Sequence, residues 1–186
     1  MRIYILSLLA FFGTSLFAQS TLNTMTFKGI PINGTLNEFV LKMTDSGFSY
    51  LKTEKGSTFL QGDFAGFKDC TLIVHSDNNI VNSLIILTIK YEDWTSLEGG
   101  YELLKLGLTQ KYGEPISCTE EIQTYSPNPK NSRKIKLAKS GNVTYRSLFE
   151  TPNGYINLSI EKNQCKIIYY PKNVFITNEK LRNTDL

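Results

Sequence analysis

Apolar residues recur at helical spacing in two stretches of the chain. The first stretch follows Thr35-Leu36-Asn37-Glu38, a capping-box pattern in which the threonine hydroxyl accepts from the backbone N–H three residues on. Gly47 stands where a helix ends in a left-handed conformation. The pattern predicts a helix over residues 35–46, and its apolar positions are Leu36, Phe39, Val40 and Met43.

The second stretch is longer and ends at Gly113, after which Pro115 forbids continuation of a helix. Its cap is Asp93 or Thr95, the latter with Glu98 three residues later. A stripe of this length predicts a helix that packs across a sheet. Its apolar positions are Trp94, Leu97, Tyr101, Leu104, Leu108 and Tyr112.

Elsewhere the apolar residues alternate with polar ones or form short runs bounded by turn residues, which is typical of strands. Lys55-Gly56 and Asp77-Asn78-Asn79 supply turns, and 126–132 reads as a polar loop. The run at 80–91 is apolar on both faces towards its end and predicts a central strand. The predicted strands are 48–53, 58–64, 70–75, 80–91, 116–125, 134–138, 143–150, 154–161 and 165–170.

The two halves of the chain therefore have the same layout. Each has one helix opened by a Thr-x-x-Glu pattern, closed by a glycine and followed by about four strands. Neither half buries the apolar face of its helix alone. We predict an α+β fold for a single domain over 27–171: a tandem of two helix-plus-four-strand units, 27–91 and 92–171, forming one mostly antiparallel sheet with the helices on one face.

Residues 1–18 have the pattern of a secretory signal peptide. Arg2 precedes an apolar run, and Ala18 is a small residue suited to cleavage. The run is broken by polar residues and is shorter than the roughly 20 apolar residues that span a membrane. We therefore predict cleavage and export to the periplasm or the exterior, a flexible lead-in over 19–26 and a tail over 172–186. No second such run follows, so we expect no membrane span in the mature chain.

Composition narrows the classes of function. The net charge of +3 over 186 residues is too small to argue for nucleic acid or an anionic membrane as partner, and the one histidine argues against a His-based metal site. The chain has no Gly-x-Ser-x-Gly elbow, phosphate-binding loop or dinucleotide fingerprint. We expect no cofactor and assign no catalytic residue. His75 is interpreted as a surface residue, and Glu120 and Glu121 are expected on opposite faces of a strand.

Three cysteines, Cys70, Cys118 and Cys165, would meet an oxidising compartment after export. They allow three different single disulfides, each of which leaves one thiol. We predict the Cys70–Cys118 pair, because both residues start strands just after turns or a helix end. Cys165 is then free and buried in a strand.

Three further features have both a binding and a structural interpretation. Tyr145, Tyr155 and Tyr169 would form a recognition surface on a sheet face, or would pack in the core. Gly99-Gly100 and Gly107 would allow close approach of a ligand or partner, or close packing of helix on sheet. The basic run would bind an anionic glycan or phosphate, or would form a solvated edge; it consists of Lys130, Arg133, Lys134, Lys136 and Lys139.

Three phrases carry a resemblance to a known family. They are FKGIPI at 27–32, FAGFKDC at 64–70 and LTQKYGEP at 108–115. They resemble uncharacterised secreted proteins of Bacteroides-type bacteria, and the tandem layout is similar to the beta-lactamase-inhibitor-protein-like fold. The resemblance covers most of the mature chain and rests on structural phrases. It implies an exported bacterial protein and no particular activity.

These patterns favour an exported, non-catalytic protein: a protein-binding or accessory module of the cell envelope. One alternative is an enzyme that acts on the envelope or a glycan with carboxylates that the sequence does not identify. Another is a carrier of a small ligand or peptide, which requires an apolar cavity between helices and sheet. The sequence does not choose the partner or the oligomeric state.

Overall fold

The computed structural model describes residues 24–172 and 174. The predicted signal peptide at 1–18, the first part of the lead-in and nearly all of the tail lie outside the described residues. Within the described part, no helix has the length and hydropathy needed to cross a membrane. The elements are β1 (Thr26–Phe27), β2 (Ile30–Pro31), α1 (Leu36–Asp45), β3 (Ser49–Glu54), β4 (Ser57–Phe64), β5 (Phe67–Asp77), β6 (Ile80–Leu87), α2 (Trp94–Tyr112), β7 (Ser117–Ile122), α3 (Asn131–Lys139), β8 (Val143–Thr151), β9 (Gly154–Glu161) and β10 (Gln164–Pro171).

The fold is α+β, as predicted, and its main sheet has eight antiparallel strands. Their order is β3-β4-β5-β6-β10-β9-β8-β7, while β1 and β2 form a separate two-stranded sheet. Each half of the main sheet is a run of four consecutive strands, and the halves join where β6 pairs with β10. The predicted central position of β6 is confirmed, and the edge strands are β3 and β7.

The two long helices begin as their cap residues require. Thr35 Oγ1 accepts from the backbone N–H of Glu38 at 3.4 Å, which is the predicted cap of α1. For α2 the cap is Asp93 rather than Thr95, because the Asp93 carboxylate accepts from the N–H of Ser96 at 2.8 Å. Glycines follow both helices.

The predicted strand at 134–138 is wrong, because these residues lie in α3. Ile135 and Ala138 are the buried residues of α3, and a spacing of three places them on one side of a helix. A stretch of five residues is too short to distinguish helical spacing of apolar residues from the two-residue alternation of a strand. The preceding strand, β7, is also shorter than the predicted 116–125.

The predicted flexible lead-in is wrong for residues 24–26. Met25 is 4% exposed and belongs to the core. Its carbonyl accepts from the N–H of Ile32 at 2.8 Å, and Thr26 starts β1. The hairpin of β1 and β2 is therefore part of the packed structure.

The core lies on one face of the main sheet. Alternate residues of its strands point there and are at most 1% exposed, among them Leu60, Leu72, Leu84, Phe149, Ile156 and Ile167. The buried apolar side chains of all three helices belong to the same cluster. The helices therefore cover one face, and the side chains that point the other way form what we call the open face.

Candidate functional site

The open face carries a row of directly opposed residues that crosses all eight strands. Ile73, Ile85 and Ile168 are aligned at its centre by the pairing of β5 with β6 and of β6 with β10. No described helix lies over the row, and most of its apolar members remain partly exposed. In strand order from β3 to β7 the row is Lys52, Phe59, Ile73, Ile85, Ile168, Asn157, Leu148 and Ser117.

Charged and polar groups border this apolar row. The Lys166 ammonium pairs with Glu161 at 2.6 Å, and Arg146 Nε donates to Asn157 Oδ1 at 3.0 Å. Surface ion pairs contribute little to stability, but they keep the border solvated. An apolar centre inside a polar rim is the usual anatomy of a protein interface.

The three predicted interface tyrosines do not share a face. Tyr145 and Tyr169 are 9% and 5% exposed on the helix side, and Tyr169 lies opposite Ile156 in the sheet register. Tyr155 is adjacent to Ile156 in β9 and therefore points to the open face, where its hydroxyl donates to Glu150 at 3.3 Å. The prediction of a common tyrosine surface is wrong, because alternation within each strand does not give the register between strands.

His75 lies on the open face, in contact with a serine hydroxyl. Its Nδ1 is 2.9 Å from Ser57 Oγ. Burial, and secondly the positive charge of Lys166, lower the pKa of His75, so the ring is neutral at physiological pH. Within the described residues, no carboxylate is hydrogen-bonded to the ring, so this serine–histidine pair is without the orienting group of a catalytic triad.

The fold does not form the predicted Cys70–Cys118 disulfide. Cys70 lies on β5 and Cys118 on β7, five positions apart in the strand order, which is about 24 Å along the sheet. A disulfide requires Cα atoms within roughly 7 Å. All three cysteines are free thiols, and burial raises the pKa of Cys165 to about 12.

The exposed thiol of Cys118 is part of a polar network between α2 and the β7 edge, and it donates to Glu120 Oε1 at 3.4 Å. Its sulfur accepts from Ser147 Oγ at 3.5 Å, and Ser147 in turn is 2.7 Å from the Tyr101 hydroxyl. Beside it, Glu120 bonds the Lys105 ammonium, which lowers the pKa of that carboxyl and raises the pKa of the lysine. Both groups are therefore charged and mutually satisfied, so the network binds helix to sheet.

Where the pKa of a described carboxyl group is shifted, the shift is downward. This holds for Glu54 and Glu120 beside lysines, for Asp63 beside Lys68, and for Asp93 at the start of α2. A general acid for glycoside cleavage requires the opposite shift. In residues 24–172 and 174, no group of three or more side chains is arranged to hold a metal ion.

The helix glycines separate into two kinds. A Cβ at Gly100 would lie 2.8 Å from the Tyr91 hydroxyl, so close packing explains this glycine. A Cβ at Gly99 or at Gly107 would meet nothing within 4 Å. Packing of helix on sheet therefore does not explain the latter two.

The basic run lies on and beside α3 and is partly engaged. Lys139 pairs with Glu92 at 2.6 Å, and the Lys134 ammonium lies 5.5 Å from the centre of the Trp94 ring. These contacts attach α3 to the start of α2. They favour the structural interpretation of the run over an anion site.

The row on the open face was not predicted, although its strands carry a signal of it. Apolar residues are consecutive at 72–74, 84–87 and 167–168, so they face both sides of the sheet.

Among known protein families, curated proteins and solved structures, no match to this chain was found. Its function is therefore inferred from the geometry of the molecule itself.

Proposed function

We propose that this protein is exported and acts as a non-catalytic protein-binding module of the cell envelope, with the open face as its contact surface. The observation that carries the proposal is the apolar part of the row, on β4, β5, β6, β10 and β8, which no described helix covers. Apolar surface left in water costs roughly 25 cal/mol per Å² relative to burial, so a partner that covers the row gains that free energy.

Export is supported by the signal-peptide pattern at 1–18 and by the resemblance to secreted bacterial proteins. Non-catalytic binding is supported by the open face itself. Its Lys166 is paired with Glu161, and the centre of the row consists of isoleucines. The enzyme alternative requires a carboxyl group with a raised pKa in a cleft. Every described carboxyl group whose pKa is shifted has a lowered pKa instead.

The first experiment places a photo-crosslinking benzoylphenylalanine at Phe59 in cells that make the protein. The matched control places it at Leu41, which is 63% exposed on α1, on the other side of the sheet. We expect one dominant, stoichiometric adduct with an envelope protein from position 59 and none from position 41. No adduct from position 59, or the same adducts from both positions, would contradict the proposal.

A second experiment measures the affinity for the captured partner. Changing Ile73→Lys and Ile85→Lys together puts two charges in the centre of the row, and we expect binding to weaken at least about tenfold. Leu41→Lys is the control for adding charge to the surface, and it should leave the affinity unchanged. Equal affinity of all three proteins would place the contact elsewhere.

A further inference from the structure

A cleft opens on the helix side of the sheet where the two halves of the chain meet. Its volume is about 340 Å³, and one wall is the last half of α2, with Leu104 and Leu108. The facing wall is aromatic: the Phe27 ring stacks on Phe64 at 5.4 Å and meets Tyr169 edge-on at 5.4 Å. The cleft is thus bounded by packed rings on one side and by leucines on the other.

Two exposed lysines, Lys28 and Lys111, contribute to the lining of this otherwise apolar cleft. Within the described chain, neither lysine has a carboxylate within 4.0 Å. Lys28 instead donates to the backbone carbonyl of Asp63 at 3.5 Å, while the carboxylate of Asp63 is paired with Lys68. Each ammonium lies 5.1 Å from the centre of an aromatic ring, and the charge of Lys28 helps to lower the pKa of Asp63. The two lysines thus bring two positive charges to the cleft, and neither is in a direct ion pair with a described carboxylate.

Gly107 lies in the α2 wall and keeps this space open. A Cβ added there would meet nothing within 4 Å, so the glycine is not required by packing. A glycine inside a helix is destabilising relative to alanine. At this position the missing side chain leaves room in the cleft, because a helical side chain at 107 would lean back over Leu103 and Leu104.

The size of the cleft argues for a slender ligand. The volume is near the lower end for small-molecule sites. An extended alkyl chain is a slender ligand, and it matches the apolar walls of the cleft.

We propose that this cleft binds a medium-chain fatty acid, with the alkyl chain between α2 and the aromatic wall and the carboxylate beside Lys28 and Lys111. The alkyl chain would be held by burial of its methylene groups between the two walls. The two ammonium groups select an anionic head group. This site lies on the helix side, so it is independent of the open face and of the function proposed for it.

The test is a calorimetric titration of dodecanoate, below its micelle concentration, into the purified protein. We expect one saturable site, and we expect Gly107→Leu to weaken binding at least about tenfold because its side chain fills the cleft. Gly99→Leu is the matched control: the same change in the same helix, also into open space, but outside the cleft lining. It should bind like the original protein.

The head group is tested with dodecyltrimethylammonium, which has the same chain and the opposite charge. We expect it to bind at least about tenfold more weakly than dodecanoate, and we expect Lys28→Met with Lys111→Met to remove this preference. Both lysines are exposed, so these variants should fold even where Gly107→Leu does not. Absence of saturable binding, equal binding of the two amphiphiles, or full affinity in a folded Gly107→Leu protein would overturn the proposal.

Discussion

The two halves of the sheet are covered by different means, although each contributes four strands. In the first half, α1 has 10 residues and buries Phe39 and Met43. In the second half, α2 has 19 residues and buries six, including Trp94 and Tyr101. The hairpin of β1 and β2 makes up the difference in the first half, because Phe27 and Ile32 are each 1% exposed.

The two coverings also differ in polarity. The buried side chains of α1, Phe39 and Met43, are apolar and have no hydroxyl group. Under α2, buried hydroxyl groups are paired: Tyr101 with Ser147 at 2.7 Å, and Tyr145 with Glu98 at 2.9 Å. Each half of the sheet thus has its apolar face covered, but the two halves do not use the same kind of helix to cover it. The proposed fatty-acid cleft lies where the hairpin of one covering meets the helix of the other.

The largest expected effect tests whether these different halves form one cooperative core. Phe39→Ala should lower the free energy of unfolding by about 3–5 kcal/mol, because a large aromatic side chain is lost from a fully buried site. Trp94 is the one tryptophan and lies in the second half, so its fluorescence reports on the half that was not changed. We expect urea unfolding followed by this fluorescence to shift as much as unfolding followed by circular dichroism.

Leu41→Ala is the control in the same helix. Leu41 is 63% exposed, so the change should stay within about 0.5 kcal/mol. If the fluorescence transition of Phe39→Ala stays in place while the circular dichroism transition moves, the halves unfold separately. The pairing of β6 with β10 would then be a weak joint, and the single-domain prediction would be wrong.

The sequence predicted most of the fold because local patterns decide it. The Thr35 cap, the long stripe of α2 and the turn at Lys55-Gly56 each act within a few residues, and each prediction is confirmed. The strand at 134–138 failed because five residues do not define a period.

The candidate sites depend on distances between strands, and the sequence does not carry these directly. The row on the open face needs the register of seven strand pairings, and the tyrosines failed as a group for the same reason. The Cys70–Cys118 prediction failed because strand order places β5 and β7 far apart. Gly100 and Gly107 look alike in the sequence, and only the packing around them separates their roles.

An intermediate effect comes from two adjacent glycines of α2. Gly100→Ala should destabilise the protein by about 1–3 kcal/mol, because the new Cβ would lie 2.8 Å from the Tyr91 hydroxyl and 3.2 Å from Tyr91 Cζ. The ring has little freedom to withdraw, since the Tyr91 backbone is held by two hydrogen bonds to Asn163, at 2.7 and 2.8 Å. Thermal and urea unfolding measure the change.

Gly99→Ala is the matched control, with the same gain in helix propensity and open space around the new methyl group. It should stabilise the protein by up to about 1 kcal/mol. Changes of opposite sign in the free energy of unfolding at these two neighbouring positions would establish that α2 packs closely on its neighbours along one stripe only. Stabilisation by both substitutions would show that the Tyr91 hydroxyl lies further than 2.8 Å from a Cβ added at position 100.

The smallest effect distinguishes the two helix caps by pH. Thr35 does not titrate, whereas the Ser96 N–H and its neighbours lower the pKa of the Asp93 carboxyl below its ordinary 3.8. A carboxyl group with a lowered folded pKa stabilises the protein fully above its unfolded pKa, and this contribution is lost as pH falls through the folded pKa.

We therefore expect Asp93→Asn, which keeps an acceptor and removes the charge, to destabilise the protein near neutral pH and to match the original protein in acid, below the lowered pKa. Thr35→Ala should cost about 1 kcal/mol at every pH where the protein folds. Urea titrations of the three proteins from about pH 7 to about pH 3 measure both differences. If the Asp93→Asn difference does not change with pH, the ionised carboxylate is not what stabilises the start of α2, and the two halves then begin their helices by the same means.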